Sequence, residues 1–171
     1  MTIRRPRITL GRIVGCVLLV LITWRFFNPI QVPESFPFES GRNFRVHKVI
    51  DGDTIELADG TRVRLIGIDT PEYTDGKPEP FADEATAFTR QFLDAHIVQL
   101  HFGRQRLDRY KRVLAFVYVD DRFLNEELIL AGLATAETQY DYRSDLKSRF
   151  KKAEQEAKAS QRGIWSLRPT P

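Results

Sequence analysis

With 171 residues, 42% hydrophobic and 29% charged, the chain has the size and balance of one ordinary folded domain with a core of its own. Its net charge of +3 comes from the N-terminus, since residues 1–41 hold five of the 26 basic and two of the 23 acidic residues and leave 21 of each beyond; overall basicity is therefore no argument for a nucleic-acid partner, and any phosphate affinity must come from local placement. The single cysteine, Cys16, excludes an intrachain disulfide, and His47, His96 and His101 are too scattered to form a zinc pattern.

The first predicted element is apolar. Ile13 to Trp24 carries no charge and has arginines on both sides. A spanning helix needs roughly 20 residues. Residues 8–27 supply that length, with Arg12 and Arg25 near the ends, where long cationic side chains reach the headgroups. Trp24, Phe26 and Phe27 resemble an interfacial aromatic belt. A cleaved signal peptide is the alternative, but Thr23-Trp24-Arg25-Phe26-Phe27 is too bulky for a small-x-small cleavage site. Ile13-Val14-Gly15-Cys16 resembles a lipoprotein box, yet most of the apolar run follows Cys16 where that signal needs it before. The expectation is an anchor over residues 1–27. Arg4, Arg5, Arg7 and Arg12 precede the run and only Arg25 closely follows, so the N-terminus stays cytoplasmic and the rest is exported. Residues 28–41, with Pro29, Pro33 and Pro37, read as a stiff linker, and residues 42–168 as the folded domain.

Within that domain, Phe44–Ile50, Thr54–Leu57 and Arg62–Ile68 read as strands, with a hairpin turn at Ala58-Asp59-Gly60. The apolar phase slips between Val46 and Val49, which predicts a β-bulge. Tyr73–Pro80 reads as a loop. Phe81, Ala85, Phe88 and Phe92 recur at helical spacing. Ile97–Phe102 and Val113–Val119 are two further strands. Asn125 is placed to cap a short helix that stops at Gly132. Leu146, Phe150, Ala153 and Ala157 mark a last helix, after which Ile164-Trp165 docks back on the core. The order β-β-β-α-β-β-α-α predicts an α+β fold: a five-stranded barrel of the oligonucleotide-binding type with three α-helices, preceded by one N-terminal apolar helix.

Three clusters carry chemistry. Asp51-Gly52-Asp53-Thr54 is by itself a good turn and not an EF-hand loop, which needs further ligands; Asp69-Thr70 nearby makes it a candidate hard-oxygen metal site. Arg64 lies within an apolar strand, where an unpaired charge costs several kcal/mol. It is either a buried ion-pair partner of Asp53, Asp69 or Glu72, or a guanidinium held for bidentate phosphate contact. Glu72 follows Pro71, whose fixed φ limits where the carboxylate can go. Asp108-Arg109-Tyr110-Lys111-Arg112 is a basic turn before a strand.

Taken together and in order, these three motifs resemble the staphylococcal nuclease family, and the resemblance runs from about Phe44 to Ser166. It implies that Asp53 and Asp69 bind Ca²⁺ through carboxylates, that Thr70 binds through its carbonyl and that Asp51 shapes the site. It implies that Glu72 is the general base toward water, that Arg64 and Arg112 are the catalytic arginines, and that Tyr110 and Arg109 contact phosphate. Three positions depart from the pattern. Lys111 stands where the family usually has Gly, which strains a positive-φ turn. Thr138 replaces a base-stacking tyrosine, a role open to Tyr140 or Tyr142. Ala82 replaces a glycine common in relatives. The expectation is a monomeric, largely nonspecific DNA and RNA phosphodiesterase leaving 3′-phosphates, tethered to the membrane, with no protein partner implied. A non-catalytic nucleic-acid-binding barrel is the alternative.

Overall fold

A computed structural model describes residues 40–94 and 97–167. Among the described residues five strands form the barrel, β1 (Arg42–Val49), β2 (Thr54–Leu57), β3 (Arg62–Leu65), β4 (Ile97–His101) and β5 (Val113–Val119), and the two residues Arg122–Phe123 pair with β5 as a sixth strand of the sheet. The five pair in the order β3-β2-β1-β4-β5, all antiparallel. A parallel pairing of β3 with β5, Arg64 opposite Leu114, closes the barrel. The closure removes the edges that an open sheet would expose. Three helices surround it: α1 (Ala82–Phe92), α2 (Leu124–Leu130) and α3 (Ser144–Ala159). A 3₁₀ turn follows at Gly163–Leu167, and it buries Trp165 as expected. The α+β barrel with three helices is therefore present.

Alternation sets the faces. In β3, Val63 and Leu65 point into the barrel and are fully buried, while Arg62 and Arg64 point away. The register of β1 against β2 shifts between Val46 and Lys48, at the position of the predicted bulge. Phe150 on α3 is fully buried against Phe116, Phe123 and Tyr142, at ring separations of 6.5, 5.5 and 6.1 Å. Each such aromatic pair adds about 0.5–1.5 kcal/mol beyond its buried area.

The third strand is shorter than its apolar run suggests. It ends at Leu65, and Ile66-Gly67 turns the chain. Gly67 sits at φ 76°, and a Cβ there would lie 2.7 Å from the Tyr142 ring, so only glycine fits. The chain then resumes as a two-residue ladder, Ile68–Asp69 against Thr135–Ala136. Within the expected Tyr73–Pro80 loop, Tyr73-Thr74 pairs with Lys77-Pro78 in a small hairpin.

Two helix readings are corrected. The inner face of α1 runs Ala82, Ala85, Thr89 and Phe92; Phe81 is instead the left-handed residue ahead of the helix, at φ 73°, and Phe88 flanks Phe92. Asn125 does not cap α2, since Phe123 occupies the cap position. Asn125 is fully buried in the first turn of α2. Its Oδ1 accepts the Val117 N–H at 3.0 Å, and its Nδ2 donates to the Ile66 carbonyl at 2.9 Å. An apolar residue there would leave two main-chain groups unpaired, each at about 1–3 kcal/mol. Asn125 thus fixes the turn that follows Arg64.

Among the described residues, no helix is long and apolar enough to cross a membrane. The apolar helix expected within residues 1–27, and the linker up to residue 39, lie outside the described residues.

Candidate active site

The turn between β1 and β2 is held by tertiary contacts around Gly52. The Thr89 hydroxyl on α1 donates to the Gly52 carbonyl at 2.6 Å. A Cβ at Gly52 would lie 2.8 Å from the Ala85 Cβ and 2.7 Å from the Thr70 Oγ1. Only a glycine lets α1 and the Asp69-Thr70 segment approach this closely. The approach sinks Asp53 out of solvent altogether.

A carboxylate so buried needs partners, and Asp53 has several. The Thr70 N–H and hydroxyl donate to its Oδ2 at 2.9 and 3.0 Å. The Thr54 hydroxyl donates to its Oδ1 at 3.2 Å, and Arg64 Nη1 lies 2.6 Å from its Oδ2. Burial nevertheless pushes the Asp53 carboxyl up to about 7, against the pull of Arg64 and the Thr70 donors and with the help of the neighbouring Asp51 charge. Asp51 and Glu72 bring carboxylate oxygens within 4.8 Å of Asp53 and of one another. The cluster holds more negative charge than one guanidinium offsets.

Arg64 bridges two acids. Its Nη2 donates to Asp69 Oδ1 at 2.7 Å, and its Nη1 also donates to the Ile68 carbonyl at 3.0 Å. The ion-pair reading of Arg64 is therefore present, with Asp53 and Asp69 as its partners, and Arg64 also lines a cavity. The half-exposed Asp69 faces Arg64 and lies outside the Asp51–Asp53–Glu72 group. Burial raises its carboxyl, with Arg64 pulling the other way.

Glu72 is pinned through its main chain. Its N–H donates to Glu79 Oε2 at 3.2 Å, and its carbonyl accepts the Glu79 N–H at 2.9 Å. Burial and the Asp51 charge raise its carboxyl, while Arg64 and Arg112 oppose the shift. The Glu72 carboxylate therefore feels both arginines.

The second arginine is aimed by an aspartate. Asp108 Oδ1 accepts the N–H groups of Tyr110 and Arg112 at 2.8 and 2.9 Å, and its Oδ2 accepts Arg112 Nε at 2.7 Å. Both Nη groups of Arg112 remain without a hydrogen-bond partner among the described residues. Lys111 adopts φ 64°, so the turn keeps the geometry that glycine favours and carries a lysine instead. Arg109 donates to the Tyr110 hydroxyl at 2.6 Å and lies over its ring at 4.7 Å.

One cavity of about 450 Å³ collects Arg64, Arg109, Tyr110, Arg112 and Tyr140, with Asp108, Glu137 and Asp141 also on its wall. Of the two tyrosines offered as stacking partners, Tyr140 is exposed and lines this cavity. Tyr142 is buried in the core beneath Gly67, and burial pushes its hydroxyl up to about 12. Thr138 is half-buried nearby in the chain and is absent from the cavity wall. The sequence reading missed the role of Asp108, although its place four residues before Arg112 was a signal. It also missed Glu137 and Asp141, which no local pattern marks.

Asp108 gives a pH test. Burial pushes its carboxyl up, but the Arg112 side chain and the N–H groups of Arg112 and Tyr110 hold it below the ordinary value of 3.8. A carboxylate with a depressed folded value stabilises the fold fully above its unfolded value, and loses that contribution as pH falls through the folded one. Asp108→Asn should therefore cost about 1–2 kcal/mol at pH 7. By calorimetry, the gap in Tm between wild type and variant should narrow as pH falls below 3.8 through the lowered folded value. A gap unchanged across that window would show that the Asp108 charge does not hold the loop.

The cavity is thus lined by Arg112, with both Nη groups open, and by Arg64, with both Nη groups donated to Asp53, Asp69 and the Ile68 carbonyl. Among known proteins, the staphylococcal nuclease homologue family matches residues 62–167. The chain is 35% identical to the thermonuclease of Staphylococcus hyicus over 176 residues, covering 94% of this chain and 98% of that protein. It is 34% identical to the thermonuclease of Staphylococcus intermedius over 169 residues, covering 93% and 98%. It is 35% identical to the endonuclease YncB of Bacillus subtilis (strain 168) over 132 residues, covering 72% of this chain and 62% of that one.

Proposed function

This chain belongs to the staphylococcal nuclease family, and we propose that it is a Ca²⁺-dependent nuclease hydrolysing phosphodiester bonds of DNA and RNA. The observation that carries the reading is the shared cavity of Arg64, Tyr110 and Arg112, with Arg64 also bound to the buried Asp53 of the carboxylate cluster. Arg64 and Arg112 grip the non-bridging oxygens of the scissile phosphate and stabilise charge that develops there in the transition state. Tyr110 and Arg109 hydrogen-bond phosphate oxygens, and Tyr140 offers its exposed ring to a base. Glu72 takes a proton from the attacking water. None of these groups reads base edges, so cleavage is largely nonspecific, with 3′-phosphate products implied by family resemblance.

The donor set fits a hard divalent cation. Asp51, Asp53 and Glu72 offer only oxygens within 4.8 Å of one another, with Asp53 buried and Glu72 open to solvent. Asp53 of this group would hold Ca²⁺ with Asp51 shaping the site; Asp69, which is paired with Arg64 outside the group, and the Thr70 carbonyl are further ligands by family resemblance alone. When bound, Ca²⁺ supplies neutralisation and polarisation of the phosphate. Residues 8–27 form the proposed membrane anchor, residues 28–41 the linker, and residues 42–168 an exported, monomeric nuclease domain.

One experiment on the full-length protein tests both halves. The protein should pellet with membranes, resist high-salt extraction and keep its intact mass. Its hydrolysis of DNA should vanish in a calcium-selective chelator and return with Ca²⁺. Robust hydrolysis in chelator with no divalent ion present would refute the metal role. A soluble cytoplasmic product would sink the anchor, and an exported product beginning near Asn28 would favour a cleaved signal.

A further inference from the structure

A second cavity, of about 520 Å³, lies on the other side of Tyr110 and Arg112, and its wall is Gly60, Thr61, Arg62, Tyr110, Lys111 and Arg112. It is bounded by the turn joining β2 to β3 and by the Asp108–Arg112 loop. No carboxylate belongs to this wall, and three cations do. The cations are little committed elsewhere. Lys111 makes no ion pair or hydrogen bond through its side chain among the described residues. Arg62 is 63% exposed and reaches Glu56 only at 3.9 Å. Arg112 gives Nε to Asp108 and keeps both Nη groups open. Tyr110 and Arg112 also line the first cavity, so they form the partition between the two. The left-handed turn at Lys111 suits glycine, and lysine there carries a backbone cost. What the lysine adds is a cation on the wall of this groove.

We propose that this groove is a backbone subsite for a polynucleotide, taking the phosphate next to the scissile one and so favouring long chains over short diesters. The proposal rests on the nuclease reading and extends it to substrate length. A strand with its scissile phosphate in the first cavity would bring its next phosphate past the shared Tyr110 and Arg112 to this carboxylate-free wall. Backbone contacts of this kind position a strand without reading sequence, and their strength falls with salt.

The test compares two substrates, a thymidine dinucleotide and an oligothymidylate of about ten nucleotides, in wild type, Arg62→Gln and Lys111→Asn. Asparagine tolerates the left-handed conformation, so the turn is kept. Each variant should turn over the dinucleotide with wild-type kcat and KM. Each should raise KM for the oligothymidylate about fivefold and flatten the salt dependence of its binding by about 0.7 in log–log slope, as for one lost single-strand phosphate contact. An oligothymidylate KM unchanged in both variants overturns the subsite. So does an equal rise on the dinucleotide, which would place both residues at the reactive cavity. If the wild type cleaves neither substrate, the nuclease reading fails instead. Oligothymidylate binding to the same proteins, read by fluorescence anisotropy, then decides the groove by itself.

Discussion

Arg64→Lys should fold and lose at least about 100-fold in kcat/KM, equivalent to about 3 kcal/mol of transition-state stabilisation. The choice of lysine follows from the burial. Arg64 is the cation nearest the fully buried Asp53, at 2.6 Å, and its side chain is only 13% exposed. Removing the charge with alanine would strand Asp53 and cost about 3–5 kcal/mol of stability. Lost activity and lost fold would then be confounded. Lysine keeps a cation beside Asp53 but has no planar fork, so it cannot hold Asp53, Asp69 and the Ile68 carbonyl while presenting a second edge to phosphate. Arg112→Lys should behave alike, because Nε is the atom that Asp108 uses to aim the guanidinium. Circular dichroism and denaturant midpoints check the fold, and steady-state kinetics on DNA check the rate. Near-wild-type turnover in a folded Arg64→Lys protein would reduce Arg64 to an ion-pair partner.

Much of the scaffold was legible because its signals are local. Apolar, β-branched runs placed β2 and β5, the Ala58-Asp59-Gly60 turn placed the hairpin, and the phase slip after Val46 placed the bulge. The spacing of Leu146, Phe150, Ala153 and Ala157 gave the buried face of α3 without error. The misreadings share a cause: a partner distant in sequence decided the outcome. Arg62–Ile68 looked like one strand, but the Tyr142 ring lies where a Cβ on residue 67 would go, so the chain turns at Gly67. Asn125 looked like a cap, and its side chain instead serves Val117 and Ile66. Tyr140 and Tyr142 are two residues apart and alike in sequence, yet only the packing of Phe116 and Phe150 tells which one is inside.

The site divides along the same line. Arg64 could be picked out as a charge in an apolar strand, and Asp51 and Asp53 as acids in a turn, whereas Glu72 and Arg112 were singled out by the family resemblance. Their grouping could not be picked out. Nothing in the sequence shows that Glu72 joins Asp51 and Asp53 while Asp69 faces Arg64. That grouping depends on Gly52, Thr89 and Ala85, which fold α1 against the first turn.

Glu72→Gln should lower kcat by about 10²–10⁴, the range of a positioned general base, with little change in substrate affinity. The main chain at Glu72 is clamped on both sides by Glu79, and glutamine has the same length, so the loop should stay in place. Burial and Asp51 raise the Glu72 carboxyl, which makes its ionised form a stronger base than an ordinary glutamate. The substitution also removes one charge from a cluster of three carboxylates, so a weaker hold on Ca²⁺ is a competing cause of any loss. A Ca²⁺ titration separates the two. If Glu72 is the base, kcat stays low at saturating Ca²⁺ and DNA binding survives. If high Ca²⁺ restores the rate, Glu72 belongs to the ion's ligand set and some other group activates water. A change confined to KM would assign it to substrate placement. Glu79→Gln is the control: among the described residues its side chain accepts hydrogen bonds from the Glu72 N–H and the Thr74 hydroxyl, so a partial loss there with intact Glu72 would measure how much the clamp contributes to aiming the base.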